Sequence, residues 1–335
     1  MTVSEGDAGR PIGWGILATG GIAGLFTRDL LFHGHLVAAI GSRSELSARA
    51  FAEAHGVGRF HGSYADLVAD PAVDVVYVAT PPSEHLAHTL LALEHGKHVL
   101  VEKPFTLNER QARVIVEEAR RREVIVMEAM WTRFLPHMAF VRERIDRGDL
   151  GEITALHAVH AQRLDVPDHH RLRNPALGGG ALLDLGVYPL SLLRDVVGEP
   201  ELLSAQAAMT STGVDASVAT LSTHVGGAMA TTFSSMVARA ENSATIIGTE
   251  GRLELHGTWY APTSVRLIDA SGAVRDSFDS RVSGRGMQFE ATEMERLIAG
   301  NDWAAAMASL DHTIAVMRTM DRVRASIGLL YPGEA

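Results

Sequence analysis

Residues 98–106 read HVLVEKPFT, and the fold of the whole chain is best inferred outward from this stretch. Residues 99–101 form a short apolar run, typical of a strand that is buried on both faces. The run ends at Glu102 and Lys103, followed by Pro104, which cannot extend a central strand. Ligands of open parallel sheets bind at the carboxyl ends of the strands. Glu102 and Lys103 are therefore candidate site residues, with a solvated salt bridge as the alternative.

Composition limits the class of protein. The 335 residues suit one large domain or two, and we expect two. A net charge of −10 argues against nucleic acid as a partner, and 46% hydrophobic residues are typical of a globular fold. The absence of cysteine excludes disulfides and fits a cytoplasmic protein. Residues 1–10 predict a frayed tail, not a secretory signal, and no apolar run reaches the ~20 residues of a membrane helix.

A strand, a glycine turn and a helix follow one another near the start of the chain. The predicted strand at 12–18 leads directly into a helix that continues to residue 31. Ala18, Gly20 and Ala23 give a degenerate form of the G-x-G-x-x-G fingerprint. Gly20 lets the backbone approach a pyrophosphate, and the helix N-terminus supplies N–H donors. A plain βα turn is the alternative. The cofactor-binding candidates here are Thr19, Gly20, Gly21 and Ile22.

The second predicted strand, 36–40, is followed by residues that favour NADP over NAD. An NAD enzyme usually carries an acid at this point for the ribose hydroxyl, but here Ser42 and Arg43 come before the first acid, Glu45. The forked donors of Arg43 suit a 2′-phosphate. Alternatively, Ser42 caps the next helix and Glu45 completes a capping box, which leaves Arg43 free in either case.

The alternation of helices and strands continues to residue 130. Helices are expected at 45–55, 64–69, 83–95 and after Thr106, which we interpret as an N-cap; strands are expected at 73–79 and 124–127, the latter taken as the sixth. This pattern predicts a doubly wound parallel sheet, a Rossmann domain, over 1–130. The residues at or just after the end of strand 73–79 are further candidates for cofactor binding: Thr80, Pro81, Pro82 and His85.

The pattern changes after residue 130. A helix ending near residue 148 is followed by predominantly predicted strands, at 153–163, 202–210, 217–225, 228–237, 243–248, 252–256 and 264–269. Their small, alternating residues predict a mostly antiparallel sheet with one face open for a partner. Helices are expected at 179–197, 287–299 and 303–325. The fold class is therefore α/β, with an α/β domain for substrate binding and dimerisation over 131–335.

Residues 178–190 read GGGALLDLGVYPL and form a second candidate site. Asp184 and Tyr188 are spaced i, i+4, so a helix places a carboxylate and a phenol on one face beside a glycine turn. The alternative is a structural pair in which the carboxylate satisfies the hydroxyl. Asp168, His169 and His170 look like metal ligands at first. Adjacent histidines point apart and no third ligand has suitable spacing, so we expect no metal.

Four motifs in this order resemble the Gfo/Idh/MocA oxidoreductases: AxGxxA at 18–23, EKP at 102–104, MEAMWTRFLP at 127–136 and GGGALLDLGVYPL at 178–190. The W-T-R-F-x-P and D-x-G-x-Y-P variants are similar to the branch of dimeric dihydrodiol dehydrogenases, NADP-dependent D-xylose dehydrogenases and glucose–fructose oxidoreductase. The resemblance implies a Rossmann domain, a second domain whose open sheet mediates a homodimer or dimer of dimers, a cis Lys103–Pro104 bond, and Lys103 with Tyr188 as the catalytic pair.

The resemblance and the residues together predict an NADP-dependent oxidoreductase that transfers hydride between nicotinamide and a sugar or vicinal diol. Tyr188 would carry the proton, which requires its pKa to fall by an amount worth about 3–4 kcal/mol. An ammonium at ~4 Å in a dielectric of 20 supplies about 4 kcal/mol, so the attraction of Lys103 is large enough to produce this pKa change. Asp184 would bind a substrate hydroxyl or steady Lys103. The opposite assignment, with Lys103 as proton donor and Tyr188 as orienter, stays open.

Several further residues are expected around the pocket. Trp131 and Arg133 would line the pocket or the nicotinamide side. Trp131 offers a stacking face to a sugar or an aromatic diol, with simple interdomain packing as the alternative. Arg171, Arg173 and Asn174 would bind substrate hydroxyls, with a purely structural role equally open. Two other functions are compatible with the sequence: a non-catalytic NADP-binding sugar sensor, and a reductase of keto-sugars or dicarbonyls.

Overall fold

The computed structural model describes residues 10–334, so nearly all of the tail expected at 1–10 lies outside the described residues. The first half contains a parallel six-stranded sheet and five helices. The strands are β1 (Gly13–Leu17), β2 (Leu36–Gly41), β3 (Phe60–His61), β4 (Val75–Val78), β5 (His98–Glu102) and β6 (Val126–Ala129). The helices are α1 (Gly21–Phe32), α2 (Glu45–His55), α3 (Tyr64–Ala69), α4 (His85–Glu94) and α5 (Glu109–Arg122).

The sheet order, β3-β2-β1-β4-β5-β6, is that of a doubly wound Rossmann fold, which confirms the prediction. The order in which strands are added to the sheet reverses between β1 and β4, which pair in parallel, and ligands of this fold bind in the crevice at the carboxyl ends of those strands. The residues of β1 and β4 are all buried, as expected for strands covered by helices on both faces. Strand β3 is only two residues long, too short to show a period, and the sequence pattern did not locate it.

Two predicted helix caps are wrong. Ser44, not Ser42, caps α2, and its side chain accepts a hydrogen bond from the backbone of Ser47. Asn108, not Thr106, caps α5, while the hydroxyl of Thr106 donates to the carbonyl of Asn108. In both cases the chain leaves its strand by a longer turn than the capping pattern assumed. The Lys103–Pro104 bond is cis, as the resemblance implies.

The second half is built on an eight-stranded, mostly antiparallel sheet of order β14-β13-β12-β11-β7-β10-β9-β8. Only β7 and β10 pair in parallel. All seven predicted strands are present, and the polar edge strand β14 was not predicted. The strands are β7 (Ile153–Ala161), β8 (Pro200–Met209), β9 (Asp215–His224), β10 (Met229–Ser235), β11 (Ala244–Gly248), β12 (Gly251–Leu255), β13 (Val265–Asp269) and β14 (Val274–Phe278).

Four longer helices complete the second half: α6 (Pro136–Asp146), α7 (Val187–Val197), α8 (Gln288–Ala299) and α9 (Trp303–Ile327). A π-helical segment, Leu182–Gly186, precedes α7 within the expected helical insertion. Helix α9 packs against α5 and β6 as well as against α7 and β8, so it ties the two sheets together. We propose the domain boundary after residue 130, just beyond the end of β6.

One stretch of the described chain, Pro175–Val197, has the length and composition of a membrane-spanning helix. However, 83% of its most apolar window is buried inside the fold. Its apolar residues contact β7 and β10. They therefore form core, and they hold the segment that carries Asp184 and Tyr188 against the larger sheet.

Candidate active site

Lys103, at the carboxyl end of β5, reaches across to the second domain. Its ammonium donates a hydrogen bond to the backbone carbonyl of Asp184 at 2.8 Å and lies 3.6 Å from the Asp184 carboxylate. Arg171 approaches the same carboxylate oxygen at 3.2 Å. The structure thus brings together a lysine from the parallel sheet with an aspartate and an arginine from the larger domain.

Mutual attraction keeps Lys103 and Asp184 charged although their side chains are largely buried, 14% and 15% exposed. Burial acts to lower the pKa of Lys103, but Asp184 and the neighbouring acidic groups outweigh it and the pKa is raised. Burial likewise acts to raise the pKa of Asp184, but Lys103 and Arg171 outweigh it and the pKa is lowered. At neutral pH the site therefore holds an ammonium and a carboxylate in contact.

Tyr188 lies beside this pair, with its ring centre 5.1 Å from the Lys103 ammonium. Its hydroxyl accepts a hydrogen bond from the Trp131 indole at 2.9 Å instead of pairing with Asp184. The expected lowering of the Tyr188 pKa is not found. Burial raises the pKa to about 12, and Lys103 offsets only part of that effect. The Tyr188 phenol is therefore protonated at neutral pH.

Two aromatic residues that the sequence reasoning missed form one wall of the site. The His160 ring lies 4.9 Å from Tyr188 and stacks on Tyr260 at 3.8 Å between ring centres. Burial lowers the pKa of His160 to about 3, so the ring is neutral. His160 alternates with exposed residues on β7, and that alternation was the only available signal. Tyr260 lies in the loop after β12, where the sequence has no motif or hydrophobic period that would have indicated it.

The glycine turn before the π-helical segment is held by a second buried carboxylate, Asp215 of β9. Its side chain accepts from the backbone N–H of Leu182 at 2.6 Å, and it is fully buried. The hydroxyl of Tyr331 donates to the carbonyl of Gly179 at 2.7 Å. Gly180 has φ +123°, and a Cβ there would lie 2.1 Å from Asp215. Sequence reasoning missed Asp215 because it lies just before the predicted strand 217–225 and belongs to no motif.

The β1–α1 turn fits the phosphates of a dinucleotide. Gly20 and Gly21 face open space, since a Cβ at either would meet no atom within 4 Å. Helix α1 begins without a side-chain cap, so its first N–H groups are free for an anion. Ala18 has φ +97°, a conformation usually left to glycine, at the first position of the fingerprint. Thr19 and Ile22, on either side, are partly exposed.

The remaining cofactor candidates divide into exposed and buried groups. At the end of β2 the side chain of Arg43 is exposed, while Ser42 is buried. Thr80, Pro81 and Pro82 follow β4. His85 is buried behind them, with its ring nitrogens 2.8 and 2.9 Å from the carbonyls of Thr80 and Pro104. It therefore joins two strand ends instead of facing the crevice.

Glu102 is also buried, and it organises the turn that carries Lys103. Its carboxylate accepts from the hydroxyl of Tyr77 and from the backbone N–H of Lys103. Burial raises the pKa of Glu102 to about 7. The Glu102 carboxylate is therefore hydrogen-bonded inside the protein, where it fixes the backbone from which the Lys103 side chain projects.

Some candidates are not brought to the Lys103 cluster. Arg133 turns toward Asp195, 3.9 Å away. Asn174 uses its side chain locally to accept from the backbone of Ala176. The residues considered as metal ligands also lie away from the cluster. Asp168 pairs with Arg173 at 3.1 Å, His170 accepts a hydrogen bond from the backbone of Leu172, and His169 is exposed.

The fold and site together define a nucleotide-binding Rossmann domain joined to an α/β domain that completes a lysine–tyrosine site. Residues 12–130 match the family model described as "Oxidoreductase family, NAD-binding Rossmann fold", and 138–254 match the GFO/IDH/MocA C-terminal domain. The chain belongs to the Gfo/Idh/MocA family of oxidoreductases, as the motifs predicted.

Similar proteins share nearly the full length of the chain. A D-xylose 1-dehydrogenase (NADP(+)) of Hypocrea jecorina is 34% identical over 95% of this chain and 93% of its own. A trans-1,2-dihydrobenzene-1,2-diol dehydrogenase of Danio rerio is 33% identical over 96% and 98%. Among solved structures, KijD10, a 3-ketoreductase from Actinomadura kijaniata in complex with NADP and TDP-benzene, is 26% identical over 95% and 98%, with a TM-score of 0.81.

We expect Gly180→Ala to abolish most activity and to destabilise the fold. The new Cβ meets Asp215 at 2.1 Å, so the turn and the segment carrying Asp184 and Tyr188 must shift. Gly213→Ala is the matched control, because Gly213 also has positive φ but faces open space. The control should cost about 1 kcal/mol in urea unfolding and leave kcat unchanged. Equal effects of the two substitutions would show that backbone strain alone accounts for the requirement.

Asp215→Asn should flatten the dependence of stability on pH. Burial raises the pKa of Asp215 to about 7 in the folded chain, against 3.8 for an ordinary aspartate side chain. The folded state therefore binds more protons than the unfolded state between these values, and stability falls as pH rises from about 4 to 7.

Urea unfolding at pH 5, 6 and 7 measures this effect. Relative to the native chain, Asp215→Asn should gain up to about 1.4 kcal/mol per pH unit. Other titrating groups, including the buried histidines, are present in both proteins and cancel in the comparison. A difference that does not change with pH would contradict the assignment.

Proposed function

We propose that the protein is an NADP-dependent oxidoreductase that transfers hydride between the nicotinamide and a carbinol or carbonyl carbon of a sugar or vicinal diol. The observation that carries the proposal is the charged Lys103, held by Asp184 beside the phenol of Tyr188. Those groups come from different domains and meet at the carboxyl end of β5. The relatives named for D-xylose and dihydrodiol oxidation support the substrate class.

NADP is the proposed cofactor, with NAD disfavoured. Gly20, Gly21 and the uncapped start of α1 would hold the pyrophosphate, and the exposed guanidinium of Arg43 would pair with the 2′-phosphate. The D-xylose dehydrogenase relative carries NADP(+) in its name, and KijD10 was solved with NADP. When bound, the cofactor supplies the hydride chemistry, so the protein must position the substrate and move one proton.

Tyr188 is the proposed proton carrier. In oxidation, the phenolate form of Tyr188 would take the proton of the substrate hydroxyl, and the hydride chemistry that the bound cofactor supplies would turn the carbinol carbon into a carbonyl. In reduction, both steps reverse and the phenol donates the proton. Lys103 stabilises the phenolate formed when Tyr188 gives up its proton. The backbone carbonyl of Asp184 accepts a hydrogen bond from the Lys103 ammonium at 2.8 Å and keeps it in place.

Reduction of keto-sugars or dicarbonyls is the second candidate direction. The observation in its favour is the Tyr188 pKa of about 12, because a phenol that is protonated at neutral pH is ready to donate. The two directions use the same groups and the same cofactor. Initial rates with NADP+ and sugar, and with NADPH and keto-sugar, decide between them.

Lys103→Ala and Tyr188→Phe should each lower kcat by about 10²–10⁴-fold. The assay follows NADP+ reduction with aldoses and trans-dihydrodiols, repeated with NAD+, which should be the poorer cofactor. Lys97→Ala is the control, since this other lysine of the chain donates to the carbonyls of Asp70 and Val73 and lies outside the site. It should keep normal kcat.

Binding of NADPH, followed by its fluorescence, separates the enzyme from a sensor. Tyr188→Phe should still bind the cofactor, because the phenol is proposed to act on the substrate. Cofactor binding by the native chain with no turnover on any sugar, diol or keto-sugar would favour a non-catalytic sugar sensor and overturn the proposal.

We further propose a homodimer, or a dimer of dimers, formed through the open face of the larger sheet. Leu202, Leu221, Met229 and Phe233 are exposed on its strands β8, β9 and β10, between small uncharged residues. Alternate residues of the same strands are buried under the helices. An apolar sheet face of this kind suits a second copy of the chain. A cytoplasmic location, favoured by the lack of cysteine, is also part of the proposal.

Introducing charges into this face should break the dimer. The variant Leu221→Glu with Phe233→Glu places two buried charges at the proposed interface, so its sedimentation coefficient should fall to that of a monomer. Leu46→Glu, at an exposed leucine of α2, is the control and should sediment as the native protein does. A native chain that sediments as a monomer at micromolar concentration would contradict the proposal.

A further inference from the structure

The turn Gly284-Arg285-Gly286 belongs to none of the motifs above, yet its backbone requires both glycines. Gly284 has φ +77° and Gly286 has φ +89°. A Cβ at Gly284 would lie 2.8 Å from the Asp29 carboxylate, and one at Gly286 would lie 2.4 Å from Leu135. Close packing and left-handed backbone therefore coincide on either side of Arg285.

The Rossmann domain fixes this turn in place. Asp29 of α1 is buried, and its carboxylate accepts from the backbone N–H groups of Arg285 and Met287, each at 3.0 Å. Hydrogen bonds from backbone donors to a buried carboxylate are strong and directional. The turn that carries Arg285 is therefore anchored to the cofactor-binding domain although it belongs to the C-terminal part of the chain.

The guanidinium of Arg285 projects from this turn to the edge of the proposed active site. It lies over the Trp131 ring, 5.5 Å from its centre, and Trp131 in turn donates to the hydroxyl of Tyr188. Arg285 also lines a cleft of about 810 Å³ together with Tyr260, whose ring is 5.2 Å from that of Tyr188. The cleft thus borders Tyr260, whose ring packs beside that of Tyr188.

The cleft offers positive charge that the protein does not neutralise. Arg285 and Arg239 line it, and neither has an ion-pair partner within residues 10–334. Arg163, also in the lining, is paired with Asp165 at 3.0 Å, and Glu241 is the remaining acid of the lining. A surplus arginine next to the site contrasts with the net charge of −10 of the chain. It favours an anionic ligand.

We infer that Arg285 binds a carboxylate or phosphate group of the substrate, so that the substrate class is an anionic sugar such as a uronic acid or a sugar phosphate. This inference rests on the proposed function. A guanidinium presents paired donors that match either anion, and within residues 10–334 the Arg285 guanidinium contacts the Trp131 ring and has no ion-pair partner. Gln162 and Asn242, which also line the cleft and donate to the Tyr260 hydroxyl, supply polar partners for sugar hydroxyls.

Matched substrate pairs test the inference. NADP+ reduction is measured with D-galactose against D-galacturonate, and with D-glucose against D-glucose 6-phosphate. We expect the anionic member of at least one pair to have the higher kcat/KM by about tenfold or more, the factor typical of one charge-assisted contact. The pair that responds identifies the anion as a carboxylate or a phosphate.

Arg285→Gln should raise KM for the anionic sugar by about tenfold to a hundredfold, leave kcat nearly unchanged, and leave KM for the neutral sugar as it was. Arg285→Lys should give an intermediate KM, because it keeps the charge and loses the fork. Arg281→Gln is the control: Arg281 is exposed on the same loop but lines a different groove. It should behave as the native enzyme.

The outcomes separate the two proposals. Turnover of neutral sugars with no preference for the anionic ones, or equal loss on both in Arg285→Gln, would overturn the role of Arg285 and leave the oxidoreductase assignment standing. That equal loss would mean that Arg285 only supports Trp131. Absence of turnover on every sugar, with NADPH still bound, would instead overturn the proposed function itself.

Discussion

The contact between the Lys103 ammonium and the backbone carbonyl of Asp184 is the interaction on which the site depends. Lys103 is fixed by a central strand of the parallel sheet, and Asp184 by a helical segment packed on the other sheet. A buried ammonium is stable only if acceptors from its surroundings satisfy it. Asp184 supplies both a carbonyl and a carboxylate, so the charge that the proposed chemistry needs also holds the two domains in register.

Buried charge and buried phenol respond differently to the same environment. Lys103 and Asp184 stay ionised because each has the other, whereas Tyr188 has no charge of its own and burial raises its pKa to about 12. The simple Coulomb estimate for Lys103 omitted this desolvation, which outweighs the attraction of Lys103 in the folded chain. The net effect could be found only once the burial of Tyr188 was known.

Close packing around glycine determines the geometry of the site on two sides. The turn at 178–180 fits against Asp215 of β9, and the turn at 284–286 fits against Asp29 of α1 and against Leu135. In both, a buried carboxylate accepts backbone N–H groups at a position where a side chain on the glycine would collide. The side chains proposed for catalysis and binding thus take their positions from acids far away in the sequence, which stabilise the turns.

The sequence by itself determined the architecture and identified the candidate site residues. Apolar runs and glycine turns recur with the periods of strands and helices, so the Rossmann sheet, seven strands of the second sheet, Lys103, Asp184 and Tyr188 could all be identified from local patterns. Local patterns could not give β3, the caps Ser44 and Asn108, or the walls made by His160 and Tyr260. Only the tertiary structure decided those, together with the hydrogen-bond partner of Tyr188 and the position of Arg285, because each depends on contacts between residues far apart in the chain and on how much water those contacts exclude.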